Sequence, residues 1–228
     1  MEKQPLILDV KGNVLDDGPG IRSVVFFKGC PLNCVWCQNP ESKKATAELS
    51  WDREKCIACG TCISSCPEEA VSKGNPFYVD RKRCTLCFEC LELCPSKALT
   101  RMGNSYTVSE IIRQIVRFKP FFETSGGGAM LSGGEPTQSM HFASDLLKDL
   151  KSEGIHTILE TCGLFNFGDF SRLIMPYVDA IYMDVKLIDP KEHRRFCGVS
   201  NELILNNLVK LHEASRSEPF QLLPRTPL

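Results

Sequence analysis

The sequence predicts an α/β fold in which βα units build a mainly parallel sheet, with a small cysteine-rich module set into it. Three observations carry this reading. Outside residues 51–100, short apolar runs alternate with amphipathic stretches of helical length, the rhythm of parallel strands joined by crossover helices. Residues 51–100 break that rhythm, and their two halves resemble each other at a spacing of 28 positions. The 13 cysteines are grouped: three fall between Cys30 and Cys37, eight between Cys56 and Cys94, and only Cys162 and Cys197 stand alone.

Candidate strands cover residues 23–27, 129–131, 157–160, 180–185 and 220–223. Each is short, rich in aliphatic, β-branched or aromatic residues, and bounded by Gly, Pro or polar positions. Thr107-Val-Ser-Glu110 has the pattern of a capping box, and Val108, Ile111, Ile112, Ile115 and Val116 then recur at helical spacing. Met140, Ala143, Leu146, Leu147 and Leu150 form a second stripe that stops near Gly154. Asn201 opens a third helix with Ile204, Leu208 and Leu211 on one face. The chain therefore divides at the sequence level into residues 1–50, an inserted 51–100, and 101–228. Fifty residues cannot bury much apolar core, so bound metal is expected to hold the insertion.

Composition excludes several classes. Hydrophobic residues make up 43% and charged residues 24%, which argues against disorder. The net charge of −1 gives no electrostatic case for nucleic acid. The apolar run at residues 24–27 is far too short for a membrane span. Residues 1–10 lack the basic flank and apolar stretch of a secretory signal. With no export signal and an odd cysteine count, the thiols are expected to be reduced metal ligands in the cytoplasm.

The insertion reads Cys56-x2-Cys59-x2-Cys62-x3-Cys66-Pro67 and then Cys84-x2-Cys87-x2-Cys90-x3-Cys94-Pro95. This is the bacterial ferredoxin run written twice, in which the fourth cysteine of each run serves the other cluster. One [4Fe-4S] cluster is thus assigned to Cys56, Cys59, Cys62 and Cys94, and another to Cys84, Cys87, Cys90 and Cys66. Paired structural zinc sites are the alternative, since CxxC pairs bind zinc too. A third run, Cys30-Pro-Leu-Asn-Cys34-Val-Trp-Cys37, has no fourth cysteine nearby. Three thiolates on a four-iron cluster leave one iron open to a substrate. A three-cysteine zinc site with a distant fourth ligand is the alternative here.

Cys30-x3-Cys34-x2-Cys37, with Trp36 before the last cysteine, resembles the signature of radical S-adenosylmethionine (SAM) enzymes. Asp17-Gly-Pro-Gly-Ile-Arg22, Gln38-Asn-Pro-Glu41, Leu131-Ser-Gly-Gly-Glu-Pro136, Glu160-Thr-Cys-Gly163 and Asp184-Val-Lys186 narrow the match. Together they resemble the glycyl-radical-enzyme activating enzymes, similar to the pyruvate formate-lyase activating enzyme, in the branch with a two-cluster ferredoxin-type insertion. The resemblance implies a partial (βα) radical SAM barrel with chemistry at the carboxyl ends of the strands. It implies an oxidoreductase of the EC 1.97.1 type with three [4Fe-4S] clusters and SAM on the open iron, and no catalytic side chain beyond that cluster. Gly133, Gly134 and Glu135 are expected at the methionine amino group, Trp36, Cys37 and Gln38 along the adenine, and Asp184, Val185 and Lys186 closing the site.

Reductive cleavage of SAM is expected to give methionine and a 5′-deoxyadenosyl radical that takes hydrogen from a backbone glycine of a partner glycyl radical enzyme. A flavodoxin or ferredoxin is the implied electron donor, and no nucleic acid or membrane partner is expected. The alternatives are a radical SAM enzyme with another substrate and an iron–sulfur electron-transfer protein without turnover. Cys197 stands where relatives often have threonine, and both it and Cys162 are expected to pack as small buried residues. The chain stops at Pro224-Arg-Thr-Pro-Leu228, short of the family's final βα unit. A short barrel is expected to assemble its cluster but to hold SAM and activate its partner more weakly. Its exposed strand edge is expected to favour aggregation.

Overall fold

The structure, a computed structural model, describes residues 4–226; Pro227 and Leu228 of the terminal motif lie outside the described residues. The chain divides into two units, residues 46–104 and the remainder.

The larger unit begins with β1 (Leu6–Val14), which pairs antiparallel with β2 (Arg22–Phe27). The smaller unit follows, with β3 (Glu48–Trp51), α1 (Thr61–Ser64), α2 (Glu89–Glu92) and β4 (Leu99–Met102). After the two-residue β5 (Asn104–Ser105) come α3 (Val108–Ile115), α4 (Lys119–Ser125), β6 (Gly128–Gly133), α5 (Met140–Ser152) and β7 (Thr157–Thr161). The chain continues through α6 (Phe167–Leu173), β8 (Ala180–Asp184), α7 (Pro190–Cys197), α8 (Glu202–Ala214) and β9 (Gln221–Arg225).

The sheet runs β5-β1-β2-β6-β7-β8-β9, and β2 through β9 are joined by parallel pairings. β6, β7, β8 and β9 lie side by side in chain order, so each crossover between them returns to the neighbouring position. Right-handed crossovers in one direction keep their helices on one face. The core shows this. Val25, Phe27, Ala129, Leu131, Leu159, Ile181 and Met183 pack with Ile111, Ile115, Leu146, Leu150, Phe170 and Leu211 of the helices. The alternate strand positions Val24, Met130, Ile158, Ala180 and Tyr182 form a separate cluster on the other face, made of strand residues. Period-2 alternation divides the two.

Local chemistry explains the helices. Thr107 and Glu110 form a reciprocal capping box at α3, with Thr107 N–H donating to Glu110 Oε2 at 2.8 Å and Glu110 N–H to Thr107 Oγ1 at 3.2 Å. Asn166 caps α6, and Asp189 accepts from the amides of Lys191 and Glu192, both at 2.9 Å, with Pro190 in the first turn of α7. β1 was not anticipated from sequence. Its Val10-Lys-Gly-Asn-Val14 stretch reads as a turn, and the Asn13 φ of 55° and a register shift between Lys11 and Val14 show why. Pairing with buried β2 overrides that local preference.

In the smaller unit β3 and β4 pair antiparallel, and the two short helices start 28 positions apart. The repeat extends to the backbone. Left-handed residues recur at the same spacing: Ala58 with Leu86, Gly60 with Phe88, and Glu69 with Lys97. Its core is small, built from Leu49, Val71, Tyr78, Val79 and Leu99 with Cys62 and Cys90.

Candidate functional site

The carboxyl ends of β2 and β6 approach closely because of two glycines. A Cβ on Gly133 (φ +95°) would lie 2.6 Å from Phe27 N, and one on Gly134 would lie 2.3 Å from the Gly29 carbonyl oxygen. The bare backbones instead exchange hydrogen bonds: Gly134 N–H to Phe27 O and Glu135 N–H to Gly29 O, both 2.8 Å. This fixes the start of the loop that carries Cys30, Cys34 and Cys37.

That loop is held on its other sides too. Cys30 N–H donates to Lys43 O at 3.0 Å, and Lys43 Nζ reaches back to Cys34 O at 2.8 Å. The free carbonyls at the end of α7 accept from the loop, Phe196 O from Val35 N–H at 3.0 Å and Cys197 O from Asn33 N–H at 2.8 Å. Cys34 is buried and Cys30 and Cys37 are half-buried. Burial, reinforced by Cys197, pushes the Cys34 thiol up to about 12. A hydrogen bond from Cys162 outweighs burial and lowers Cys30. Trp36 and Gln38 are exposed, with the Trp36 ring 6.1 Å from that of Phe196.

Glu135 is 2% exposed, and its carboxylate is fully engaged. Oε1 accepts from Thr137 N–H (3.1 Å), Thr137 Oγ1 (2.7 Å) and Thr161 Oγ1 (2.9 Å), and Oε2 from Cys162 N–H (2.6 Å). It ties the end of β6 to the end of β7.

A polar row crosses the ends of β6, β7, β8 and β9, continuing the face that carries Met130, Ile158 and Tyr182 by the two-residue repeat. Ser132 Oγ donates to Glu160, and Arg225 Nη2 donates to Glu160 on the other side. Arg225 also holds Asp184 Oδ1 through Nη2 at 2.9 Å and Nε at 3.1 Å, and lies 5.0 Å above the Tyr182 ring. Lys186 Nζ donates to Asp184 Oδ2 at 2.7 Å. Burial alone would lower Lys186, but the charge of Asp184, followed by Cys34 and Glu160, raises it. Lys186 is therefore a fixed cation within electrostatic reach of the cysteine loop. Val185 is buried beside it, its N–H on Arg225 O at 2.8 Å. Sequence reasoning named Asp184, Val185 and Lys186 but missed Arg225, which holds Asp184, and Glu160 and Ser132, which continue the row from Arg225. Glu160 stood inside a quoted motif, whereas Arg225 shows its role only when β9 is laid beside β8.

In the smaller unit the eight thiols surround two concavities. One is lined by Cys56, Cys59, Cys62 and Cys94 with Trp51 and Tyr78, and encloses about 300 Å³ of non-protein space, part of it open to solvent. The other is lined by Cys66, Cys84, Cys87 and Cys90 and encloses about 350 Å³. Each therefore takes three thiols from one run and the fourth from the other. Hydrogen-bond donors already face these sulfurs: Thr61 Oγ1 to Cys59 (3.4 Å), Tyr78 OH to Cys62 (3.1 Å) and Ala70 N–H to Cys66 (3.3 Å). Burial, then the charges of Cys66 and Cys84, push Cys90 up to about 11. Thiolates gathered this closely need a cationic centre between them. Among the described residues no three His, Cys, Asp or Glu side chains converge as they would on a single metal ion. All-sulfur donor sets around a concavity suit a polynuclear iron–sulfur group.

Residues 16–205 match the family described as a 4Fe-4S single cluster domain. The trans-4-hydroxy-L-proline dehydratase activating enzyme of Clostridioides difficile is 44% identical over 211 residues, covering 92% of this chain and 70% of that protein. The choline trimethylamine-lyase activating enzyme of Oleidesulfovibrio alaskensis is 39% identical over 217 residues, 93% of this chain and 70% of that one. The (2S)-3-sulfopropanediol dehydratase activating enzyme of Klebsiella oxytoca is 38% identical over 218 residues, 93% and 68% respectively. The chain belongs to the radical SAM family of glycyl-radical-enzyme activating enzymes. It is an oxidoreductase of that class, whose members work with a 4Fe-4S cluster and SAM. Among the described residues no helix is long and apolar enough to cross a membrane.

Proposed function

We propose that Cys30, Cys34 and Cys37 hold a [4Fe-4S] cluster with one open iron, at the carboxyl ends of the strands of a partial (βα) barrel. When bound, this cluster and SAM supply reductive cleavage to methionine and a 5′-deoxyadenosyl radical, which takes a hydrogen atom from a backbone glycine of a partner glycyl radical enzyme. The chain's own residues bind and orient. Gly133 and Gly134 bring bare backbone against the strand end and the cysteine loop, where the amino acid end of the cofactor would lie. Lys186, fixed by Asp184, offers a positive charge for its carboxylate. Trp36, with Cys37 and Gln38, gives the adenine an exposed aromatic face. Glu135, its carboxylate satisfied, holds the strand ends in place.

We further propose that the insertion is a ferredoxin-like module with two [4Fe-4S] clusters, one on Cys56, Cys59, Cys62 and Cys94 and one on Cys84, Cys87, Cys90 and Cys66. They would pass electrons from a low-potential flavodoxin or ferredoxin in an anaerobic cytoplasm. The observation that carries the activase reading is the three-thiol loop at the end of β2, beside the polar row of Glu160, Asp184, Lys186 and Arg225. Anaerobic reconstitution should yield about twelve irons and twelve sulfides per chain, and 5′-deoxyadenosine on reduction with SAM. Bound zinc without acid-labile sulfide would overturn the reading.

A further inference from the structure

The internal repeat of residues 46–104 sets two similar thiol quartets in one unit, so their differences stand out. Burial is matched: Cys62 and Cys90 are buried, Cys59 and Cys87 exposed, and the other four half-buried. The polar surroundings are not matched. Around the first quartet, Tyr78 OH lies 3.1 Å from Cys62 Sγ, Thr61 Oγ1 3.4 Å from Cys59 Sγ and Ser96 Oγ 3.8 Å from Cys94 Sγ. Tyr78 is 4% exposed, and its ring is stacked on Trp51 with centroids 4.2 Å apart. Around the second quartet Cys66 takes an amide, Ala70 N–H at 3.3 Å. Among the described residues no hydroxyl bonds to Cys66, Cys84, Cys87 or Cys90. Thr61 and Ser96 stand two positions after Cys59 and Cys94, whereas the residues two positions after Cys87 and Cys66 are Glu89 and Glu68. Glu68 lines the second concavity. Where one quartet has these two hydroxyls, the other has carboxylates.

We propose that the two clusters of the insertion differ in reduction potential, the one on Cys56, Cys59, Cys62 and Cys94 being the higher and the first to be reduced. The inference rests on the two-cluster reading of these residues. One electron from a low-potential donor adds a negative charge to a cluster and leaves the donor oxidised by one electron. Hydrogen bonds to the ligand sulfurs stabilise that added charge, whereas nearby carboxylates oppose it. An iron-bound cysteine sulfur can only accept, so the hydroxyls of Tyr78 and Thr61 donate. Matched burial removes solvent exposure as a source of the difference. The basic run before Cys84 works the other way, but Lys82 is exposed, and Arg81 and Arg83, also exposed, are paired with Glu48 and Glu69 at 3.3 Å. Tyr78, buried against its sulfur, therefore makes the largest single contribution.

The test is a potentiometric titration of the reconstituted full chain, followed by electron paramagnetic resonance. The signal that SAM perturbs marks the barrel cluster and leaves two for the insertion, which are expected to show separate midpoints. Tyr78→Phe keeps the ring on Trp51 and removes the hydroxyl. It is expected to move the higher midpoint to more negative potential and leave the lower in place, with iron content unchanged. Thr61→Val, at an exposed position where folding is not at stake, should move the same midpoint by less. Glu68→Gln is expected to raise the lower midpoint alone. Coincident insertion midpoints in the wild type would overturn the proposal. So would a higher midpoint that stays in place in Thr61→Val and in iron-replete Tyr78→Phe, or that rises in Glu68→Gln. A wild-type chain holding iron for the barrel cluster alone would instead overturn the two-cluster reading on which the proposal rests.

Discussion

The two cysteine-bearing regions are held in opposite ways. The barrel loop is positioned by distant elements: the ends of β2, β6 and α7 and the Ser42–Lys43 turn all bond to it. Beneath it lies a core with many fully buried Leu, Ile and Phe side chains, each contributing about 1.5–3 kcal/mol. The insertion has seven buried apolar residues apart from cysteine, two of them alanines. It shapes its thiol loops locally, through left-handed residues and one-turn helices. Non-glycine residues such as Leu86 and Phe88 in that conformation cost energy. The contrast is that the sheet unit sets its cysteine loop on a packed core, whereas residues 46–104 shape their thiol loops with little core of their own.

The sharpest way to break this contrast is to remove iron. Oxidative chelation is expected to unfold residues 46–104 and leave the sheet unit folded, read as hydrogen exchange or proteolysis confined to the insertion. Equal protection of both units after iron loss would end the distinction.

A smaller effect separates ion pairs in the two regions. Arg225→Met removes the shared cation of Glu160 and Asp184, and with Arg225 39% exposed the loss is expected to be on the order of 1–2 kcal/mol of stability. Arg83→Met breaks only the exposed pair with Glu69 and should change stability by no more than a few tenths of a kcal/mol. Chemical denaturation of the reconstituted variants measures both.

The smallest effect concerns acid. Asp179 accepts from Thr157 N–H at 2.8 Å and from Lys151 Nζ at 2.6 Å. Burial works to raise its carboxyl, but these bonds and the Lys151 charge hold it below the usual 3.8. A depressed folded-state value means stability that is present above pH 3.8 and is lost as pH falls through the folded value. Asp179→Asn should therefore flatten the acid limb of the stability curve below about pH 4. An unchanged limb would assign the acid sensitivity elsewhere.

Much of this was legible in one sequence because the relevant signals are local. The stripes over Val108–Val116 and Met140–Leu150 gave α3 and α5, and cysteine spacing indicated the crossed quartets around the two concavities. Signals for α6 and α7 were present in Asn166 and in Asp189-Pro190, but short apolar stripes left them weak. β1 was hidden because its Gly-Asn stretch favours a turn until β2 pairs with it. The row of Ser132, Glu160, Asp184 and Arg225 could not be read, since it exists only once strand order and register bring four separate strand ends together.

The loop of Cys30, Cys34 and Cys37 is proposed to do the SAM chemistry, with residues 46–104 in support. Reductive SAM cleavage, driven by a chemical reductant and read as 5′-deoxyadenosine, tests this in two variants side by side. Cys34→Ala should form none above background. Cys59→Ala should still cleave SAM, because it leaves all three barrel thiols in place. Normal cleavage by Cys34→Ala, or loss of SAM binding in Cys59→Ala with its barrel cluster intact, would contradict the account.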